Sequence, residues 1–227
     1  MEELSADLLS RLNNKTSFVI PVFGGIPVSE SVVVTWVIMA FLVGISIIFV
    51  RNLKIKPTGS QVYVETMIGG AYKFFHGILG NEGRRYIPYL ITVALYIGCA
   101  NVIGLFGLTP PTKDINITAA LAVMSIVLIE YSGIRKKGMK RFLKGFAEPV
   151  PFIAPINVLE IVIRPLSLCM RLFGNVLGSF VVMELIKIIA PAIIPIPLSG
   201  YFDIFDGLIQ AYVFVFLTSL FIKESIE

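Results

Sequence analysis

The chain has 227 residues, of which 56% are hydrophobic and only 15% are charged, and its net charge is +4 at pH 7. A soluble globular chain has about 25% charged residues, so this chain has too little polar surface to cover a body that faces water. The positive net charge does not indicate nucleic-acid binding, because the basic residues lie in loops between apolar segments.

Apolar windows of about 20 residues recur along the chain, and each is long enough to span the roughly 30 Å hydrocarbon core of a bilayer. These windows do not alternate apolar with polar residues, as the strands of a β-barrel do. The composition therefore predicts an all-α membrane protein with a single integral-membrane domain, residues 1–227. His76, Cys99 and Cys169 are far apart, so we expect no metal site, no disulfide and no cofactor.

The first half of the chain is predicted to hold one span and one interfacial helix. Residues 1–31 form an N-terminal tail without the basic start or the cleavage site of a signal peptide. Residues 32–50 are the first span. Residues 58–83 mix Tyr, Phe and Met with Gln, Glu, Lys and His, which is too polar to span and is typical of a helix that lies in the membrane interface.

The second half is predicted to hold two helical hairpins. Residues 87–133 form the first, with spans at about 87–108 and 117–133 joined by "TPPTKDIN". A basic cytoplasmic loop, 135–148, leads to the second hairpin, 156–222. This hairpin has a long helix, the turn "PAIIPIPLSG" and a last span at about 201–222, which makes about five spans in all.

The basic loops predict the orientation. "RNLKIKP" and "GIRKKGMKRFLKG" are rich in Lys and Arg and are expected to face the cytoplasm. "TPPTKDIN" and "PAIIPIPLSG" hold one basic residue between them and are expected to face outward. With five spans, the N-terminus of this multi-pass membrane protein is expected outside and the C-terminus in the cytoplasm.

The helix predicted over 156–190 is too long for an upright span. At about 1.5 Å per residue its 35 residues extend roughly 52 Å, against a core of about 30 Å. The helix must therefore tilt, bend or break. Pro165 offers a bend because it cannot donate a hydrogen bond to the carbonyl of Ile161.

Arg171 is the only charged residue between Pro165 and Met183. An arginine at mid-bilayer costs roughly 2.5–3.5 kcal/mol on insertion scales, so its face must meet water, a polar partner or a carboxylate. On a helix with 100° per residue, a stripe of residues lies within about 40° of it. The stripe comprises Glu160, Arg164, Ser167, Asn175 and Gly178. Ser167 and Gly178 also suit simple helix–helix contact.

A second polar stripe is predicted on the last span. Asp203, Asp206 and Gln210 are spaced three and four residues apart and so share a face, and the hairpin allows Arg171 to approach Gln210. Glu184 lies near the outer end of the long helix. Glu160 is about 16 Å from Arg171 along the axis, so an acid that pairs with Arg171 must come from another helix or another chain.

Three segments resemble subunit a of the F-type ATP synthases of bacteria and chloroplasts. "INVLEIVIRPLSLCMRLFGNVLG" (156–178) is similar to the signature of that family, "IQAYVFVFLTSLFI" (209–222) to its closing motif, and "NVIGLFGLTPPTKDINITAALA" (101–122) to a third motif. The resemblance covers nearly the whole chain in the same order. It implies a stator subunit beside a rotating ring of c subunits, each with a mid-membrane carboxylate.

The resemblance also implies roles for individual residues. Arg171 matches the essential arginine, and Asn175 and Gln210 match residues of the helix pair. Many members have an acid nine positions after the arginine, where this chain has Phe180; Glu184, one turn further on, is a candidate substitute. Asp203 matches a position seven before the glutamine that is often histidine or acid. Glu160 and Arg164 also match motif positions.

The implied function is ion flow coupled to rotation and ATP synthesis, through two offset half-channels for H⁺ or Na⁺. The outer path is expected to use Glu184, Asp203, Asp206 and Asn175, and the cytoplasmic path Glu160 and Ser167. The expected partners are the c ring, the b subunits of the peripheral stalk, the rest of the F1Fo complex and the bilayer. The location that the resemblance implies is the bacterial inner membrane. No nucleotide loop or nucleophile–base pair is seen, so the chain is not expected to be catalytic by itself.

Two alternatives use the same residues differently. In a self-contained secondary transporter or channel, Arg171 would bind an anionic substrate. In a structural membrane scaffold, the polar stripes would only join helices.

Overall fold

The computed structural model describes residues 16–20, 26–51, 53, 59–139, 142, 154–189 and 195–227. Two short strands precede seven α-helices in this part of the chain. The strands are β1 (Thr16–Ile20) and β2 (Ile26–Ser29). The helices are α1 (Glu30–Val50), α2 (Ser60–Leu79), α3 (Ile87–Val102), α4 (Ile115–Lys137), α5 (Ala154–Ile189), α6 (Pro195–Ser199) and α7 (Gly207–Ile226).

Five helical segments are long and apolar enough to cross a membrane. They are Glu30–Val50, Arg84–Phe106, Ile115–Lys137, Pro155–Ile188 and Pro195–Ile226. The prediction of an all-α membrane protein with about five spans is therefore confirmed. α2 is not among these segments, in keeping with its polar composition.

The small sheet near the N-terminus was not predicted. β1 pairs with β2 in antiparallel fashion, with Thr16 opposite Ser29 and Ile20 opposite Ile26. The β-branched residues of "TSFVI" favour this conformation. β2 ends where α1 begins, so the hairpin leads directly into the first span.

The long predicted helix is continuous. α5 runs from Ala154 to Ile189 with Pro165 inside it, so a break at the proline is excluded. A proline within a membrane helix is tolerated when neighbouring groups satisfy the carbonyl that it leaves free.

The predicted start of the last span, at 201, is wrong. Part of "PAIIPIPLSG" lies at 191–194, outside the described residues, but its second half is helical. Pro195 is the first described residue of α6, and it is already helical. A π-helical segment, Gly200–Asp206, then connects α6 to α7.

The basic loop predicted at 135–148 begins inside a helix. The last turn of α4 contains Arg135, Lys136 and Lys137. Positive charges at this end of a helix interact favourably with the negative end of the helix dipole. Gly138 has φ of +79° and ends the helix, since that conformation strains other residues. Residues 140–141 and 143–148, like residue 58 at the predicted start of the interfacial helix, lie outside the described part.

The chain groups into two compact units. The first comprises residues 1–43, 96–118 and 171–211, and the second comprises residues 44–95, 119–170 and 212–227. Ile97, Ala100 and Leu172 are buried in the first unit, and Leu90 and Ile129 are buried in the second.

Candidate functional site

A cavity of about 500 Å³ lies within the first unit, and we call it the polar cavity. Its walls come from the start of α1, the end of α3, the following loop, the second half of α5 and the π-helical segment. Six ionisable side chains line it: Glu30, Lys113, Glu184, Lys187, Asp203 and Asp206. Four carboxylates and two ammonium groups suit a water-filled space that attracts cations.

Glu184 is the acid that the described part of α5 contributes to this cavity, and it is buried. Only 8% of its side chain is exposed, and its Oε1 accepts a hydrogen bond from Nζ of Lys187 at 2.9 Å. The lysine is half exposed and three residues further along the helix. The pair holds one carboxylate at a fixed place on the wall through a charge-assisted hydrogen bond.

At residue 180 the resemblance leads one to expect an acid, but the chain has Phe180. The ring of Phe180 packs against the ammonium group of a lysine. The Nζ of Lys113 lies 4.2 Å from the centre of its ring, a distance typical of a cation–π contact. Lys113 comes from the short 3₁₀ helix Pro111–Lys113 and is buried. The cavity wall at this point therefore has a positive charge rather than a carboxylate.

Asp203, Asp206 and Gln210 are placed by the π-helical segment and the first turn of α7. Asp203 and Asp206 line the cavity, and Nε2 of the buried Gln210 donates to Oδ1 of Asp206 at 3.4 Å. The carboxylate of Asp203 packs so closely on Gly104 that a side chain at Gly104 would lie about 2.9 Å from Oδ1. Asp203 and Asp206 thus belong to one wall of the cavity, and Gln210 is bonded to that wall from behind through Asp206.

Asn101 fixes the junction between the π-helical segment and α7. Its Nδ2 donates to the carbonyl of Gly207 at 3.0 Å, and its Oδ1 accepts from Oγ1 of Thr112 at 2.7 Å. All of these groups are buried. A polar group in an apolar helix is expensive unless it is bonded, so this bridge specifies how the segment with both aspartates is held.

Arg171 is exposed on the surface of the chain. Among the described residues it takes part in no ion pair and no hydrogen bond, and Asn175 and Gly178 on the same face are also exposed. No hydrogen bond joins the described side chains of Arg171 and Gln210, and Nε2 of Gln210 donates to Asp206. A guanidinium is always charged, so in a bilayer this face needs a partner that this part of the chain does not supply.

The model of the ATP synthase A chain family matches residues 32–223. The chain belongs to this family. ATP synthase subunit a of Moorella thermoacetica is 38% identical over 205 residues, which are 90% of this chain and 94% of the relative. The subunit of Geobacter sulfurreducens is 35% identical over 204 residues, 88% of each chain.

A relative with a stated ion is also similar. The sodium ion specific ATP synthase subunit a of Propionigenium modestum is 33% identical over 218 residues, 89% of this chain and 75% of the relative. The family and the five candidate spans together identify a multi-pass membrane protein, a component of ATP synthase with a part in ion transport and ATP synthesis.

Within this subunit a chain, the predicted site residues fall into separate groups. Glu184, Asp203 and Asp206 line the polar cavity of the first unit, while Arg171 and Asn175 are exposed in the same unit. Glu160 and Ser167 belong to the second unit and are exposed. The roles given to these residues stay predictions.

Arg164 was predicted only as a supporting residue. In the second unit it forms ion pairs with two acids. Its Nη2 donates to Oε2 of Glu160 at 3.1 Å and to Oε1 of Glu224 at 2.6 Å. The guanidinium also lies 5.0 Å from the ring centre of Phe221. Arg164 thus has partners within its own chain.

Sequence reasoning missed several residues of the cavity wall, among them Glu30, Asn101, Lys113 and Lys187. Lys187 could have been found, because a lysine three residues after Glu184 is in reach on a helix. Asn101 is a polar residue in an apolar span, which is a weaker signal. The sequence around Glu30 and Lys113 does not indicate that they belong to this wall, because only the folding of distant segments brings them to α5.

Proposed function

We propose that this chain is the stator subunit of the membrane Fo sector and couples the flow of H⁺ or Na⁺ to rotation of a c ring. Arg171 faces the ring, and two offset half-channels lead to it from the two sides of the membrane. The subunit itself is not catalytic. The single observation that supports this best is an exposed arginine in the middle of a membrane helix with no ion-pair partner in the described chain.

The partner of Arg171 is a carboxylate on each c subunit. The guanidinium favours the ionised carboxylate over the loaded one, so a carboxylate that approaches releases its ion. After it passes Arg171, it takes up an ion from the other half-channel. The fixed positive charge also repels cations, which blocks a direct leak between the half-channels.

The polar cavity is the outer half-channel in this proposal. Its four acids attract cations, and Glu184, Asp203 and Asp206 are the groups that relay or bind them. Asn175 extends this path toward the arginine. On the cytoplasmic side, Glu160 and Ser167 line the second path; both are exposed on α5.

The orientation assumed here puts the N-terminus outside and the C-terminus in the cytoplasm, as the basic loops predict. The b subunits of the peripheral stalk hold the stator against the torque of the ring. Moving one charge across 100 mV yields about 2.3 kcal/mol, so several ions must pass for each ATP.

Replacement of the arginine tests the proposal. In inverted vesicles that contain the whole complex, Arg171→Ala is expected to abolish ATP synthesis driven by an ion gradient, while the complex still assembles. Arg135→Ala is the matched control, because Arg135 is exposed in the last turn of α4 and, among the described residues, donates to Oη of Tyr131 alone. ATP synthesis by Arg171→Ala at the rate of the control would overturn the mechanism.

The transporter alternative is separated by a second measurement. Vesicles that contain only the purified chain should show no ion or anion flux, since a stator without its ring lacks the moving carboxylate. Flux that depends on Arg171 in such vesicles would favour a self-contained transporter.

A further inference from the structure

Arg164 is enclosed by acids from more than one helix of the second unit. Its Nη2 bonds to Glu160 on α5 and to Glu224 on α7, at 3.1 and 2.6 Å. Glu130 on α4 is close enough to interact with it electrostatically. Only 16% of the Arg164 side chain is exposed. The positive charge of Arg164 is therefore balanced inside the chain.

The position of Glu224 is unfavourable by itself. It lies in the last turn of α7, where the negative end of the helix dipole repels a carboxylate. Glu227, three residues on, is paired within its own turn with Lys223 at 3.7 Å. The bond to Arg164 is the interaction that offsets the cost at Glu224.

Arg164 and Arg171 are seven residues apart on the continuous helix α5. Seven residues at 100° each return to within about 20° of the same direction, with a rise of about 10.5 Å. Two arginines thus share one face of one helix. Arg164 has carboxylate partners, whereas Arg171 is exposed and has none among the described residues.

We propose that Glu160 and Glu224 shield Arg164, so that Arg171 is the single uncompensated positive charge on the face that meets the rotor. This inference rests on the function proposed above. An unshielded Arg164 would attract the ionised rotor carboxylate from one side of Arg171 and hold it there. The carboxylate held there would take up its next ion more slowly, whichever way the ring rotates.

The test first replaces Glu224, one of the two shielding acids, and then also Arg164, the charge that they shield. ATP synthesis is measured in inverted vesicles with the complete complex. A fully exposed charge on Arg164, about 10 Å from the carboxylate beside Arg171, would bias the position of that carboxylate by more than tenfold at an effective dielectric constant of about 20. Glu160 remains in place in Glu224→Gln, so the shield is only partly removed. Glu224→Gln is therefore expected to lower gradient-driven ATP synthesis about three- to tenfold. Adding Arg164→Gln is expected to restore most of the rate. Glu227→Gln, which removes the same charge from the same helix end, is expected to match the wild type.

A purely structural ion pair predicts a different pattern. Arg164→Gln, Glu224→Gln and the double variant would then all lose activity to a similar extent, and this result would overturn the shielding role. A wild-type rate for Glu224→Gln would overturn it as well.

One comparison holds even if Glu224→Gln fails to assemble. With Arg164→Gln already present, Glu224 has no charge left to shield, so Arg164→Gln and the double variant are expected to synthesise ATP at equal rates. A lower rate in the double variant contradicts the inference. Activity in Arg171→Ala would instead show that the proposed function fails, whereas an inactive Arg171→Ala with a normal Glu224→Gln rejects the shielding alone.

Discussion

The ammonium group of Lys113 lies 4.2 Å from the centre of the ring of Phe180, at the position where the sequence resemblance leads one to expect an acid. One turn further along α5, Glu184 points into the same cavity and is bonded to Lys187. A cation–π contact and an ion pair thus occupy neighbouring turns of one wall. We propose that Glu184 takes the place of that acid in the outer half-channel, one turn further along α5.

The position of Glu184 leads to two expected outcomes. Glu184→Gln should lower gradient-driven ATP synthesis at least tenfold, because a neutral amide does not bind a proton near neutral pH and has no negative charge to attract a cation. Adding Phe180→Glu should restore part of the rate, since it returns a carboxylate to the same cavity wall beside Lys113. Synthesis is measured in inverted vesicles at a fixed ion gradient.

Glu184→Asp is the matched control and should retain most of the activity, because it keeps the charge. If Glu184→Gln synthesises ATP at the wild-type rate, Glu184 is no part of the path. If Phe180→Glu gives no recovery in the Glu184→Gln background, the position of the acid matters more than its presence in the cavity.

A second prediction concerns the close contact between Gly207 and Asn101. A Cβ at residue 207 would lie 2.7 Å from Cβ of Asn101, so Gly207→Ala must displace the asparagine or the start of α7. Overpacking of this kind costs about 1–3 kcal/mol. We expect a lower thermal unfolding midpoint for the purified complex, together with reduced ATP synthesis, because the aspartates of the π-helical segment move.

Gly200→Ala is the control for that experiment. Residue 200 lies at the start of the same π-helical segment, but an added Cβ meets nothing within 4 Å in the described chain. Its unfolding midpoint should equal that of the wild type. Equal midpoints for Gly207→Ala and the wild type would mean that the bridge from Asn101 does not hold the junction.

Local patterns were sufficient to predict the spans but not the cavity. Hydropathy and length are properties of one segment, so α1 and α4 were placed within two to four residues of their ends. The face of α5 around Arg171 follows from helical periodicity alone. Glu30 and Lys113 could not be assigned to the wall opposite Glu184, because their positions depend on how distant segments pack.

The irregular start of the last span shows another limit of sequence reasoning. Helical conformation begins at Pro195 and passes through a π-helical segment before α7. Prolines suit the first turn of a helix and also suit turns, so "PAIIPIPLSG" was interpreted as a turn throughout. The π-helical geometry depends on contacts such as that of Asn101 with Gly207, which no local pattern encodes.

Gln210 provides the third prediction. It is buried and donates an amide hydrogen bond to Asp206. Gln210→Glu replaces that donor with a second carboxylate and so places two negative charges four residues apart on one helix face. Ion-driven ATP synthesis should fall about two- to tenfold but persist, because repulsion between the acids changes their ion affinity without removing the charge on Arg171.

Gln61→Glu is the matched control for this change. Gln61 also donates to an acid four residues away, Glu65, at 2.6 Å, but the pair is exposed on α2. The control should synthesise ATP at the wild-type rate, since an exposed pair of like charges costs little. If Gln210→Glu also reaches the wild-type rate, Gln210 only joins helical turns. If it abolishes synthesis as completely as Arg171→Ala, the glutamine is as essential as the arginine, and the division of roles along the path must be redrawn.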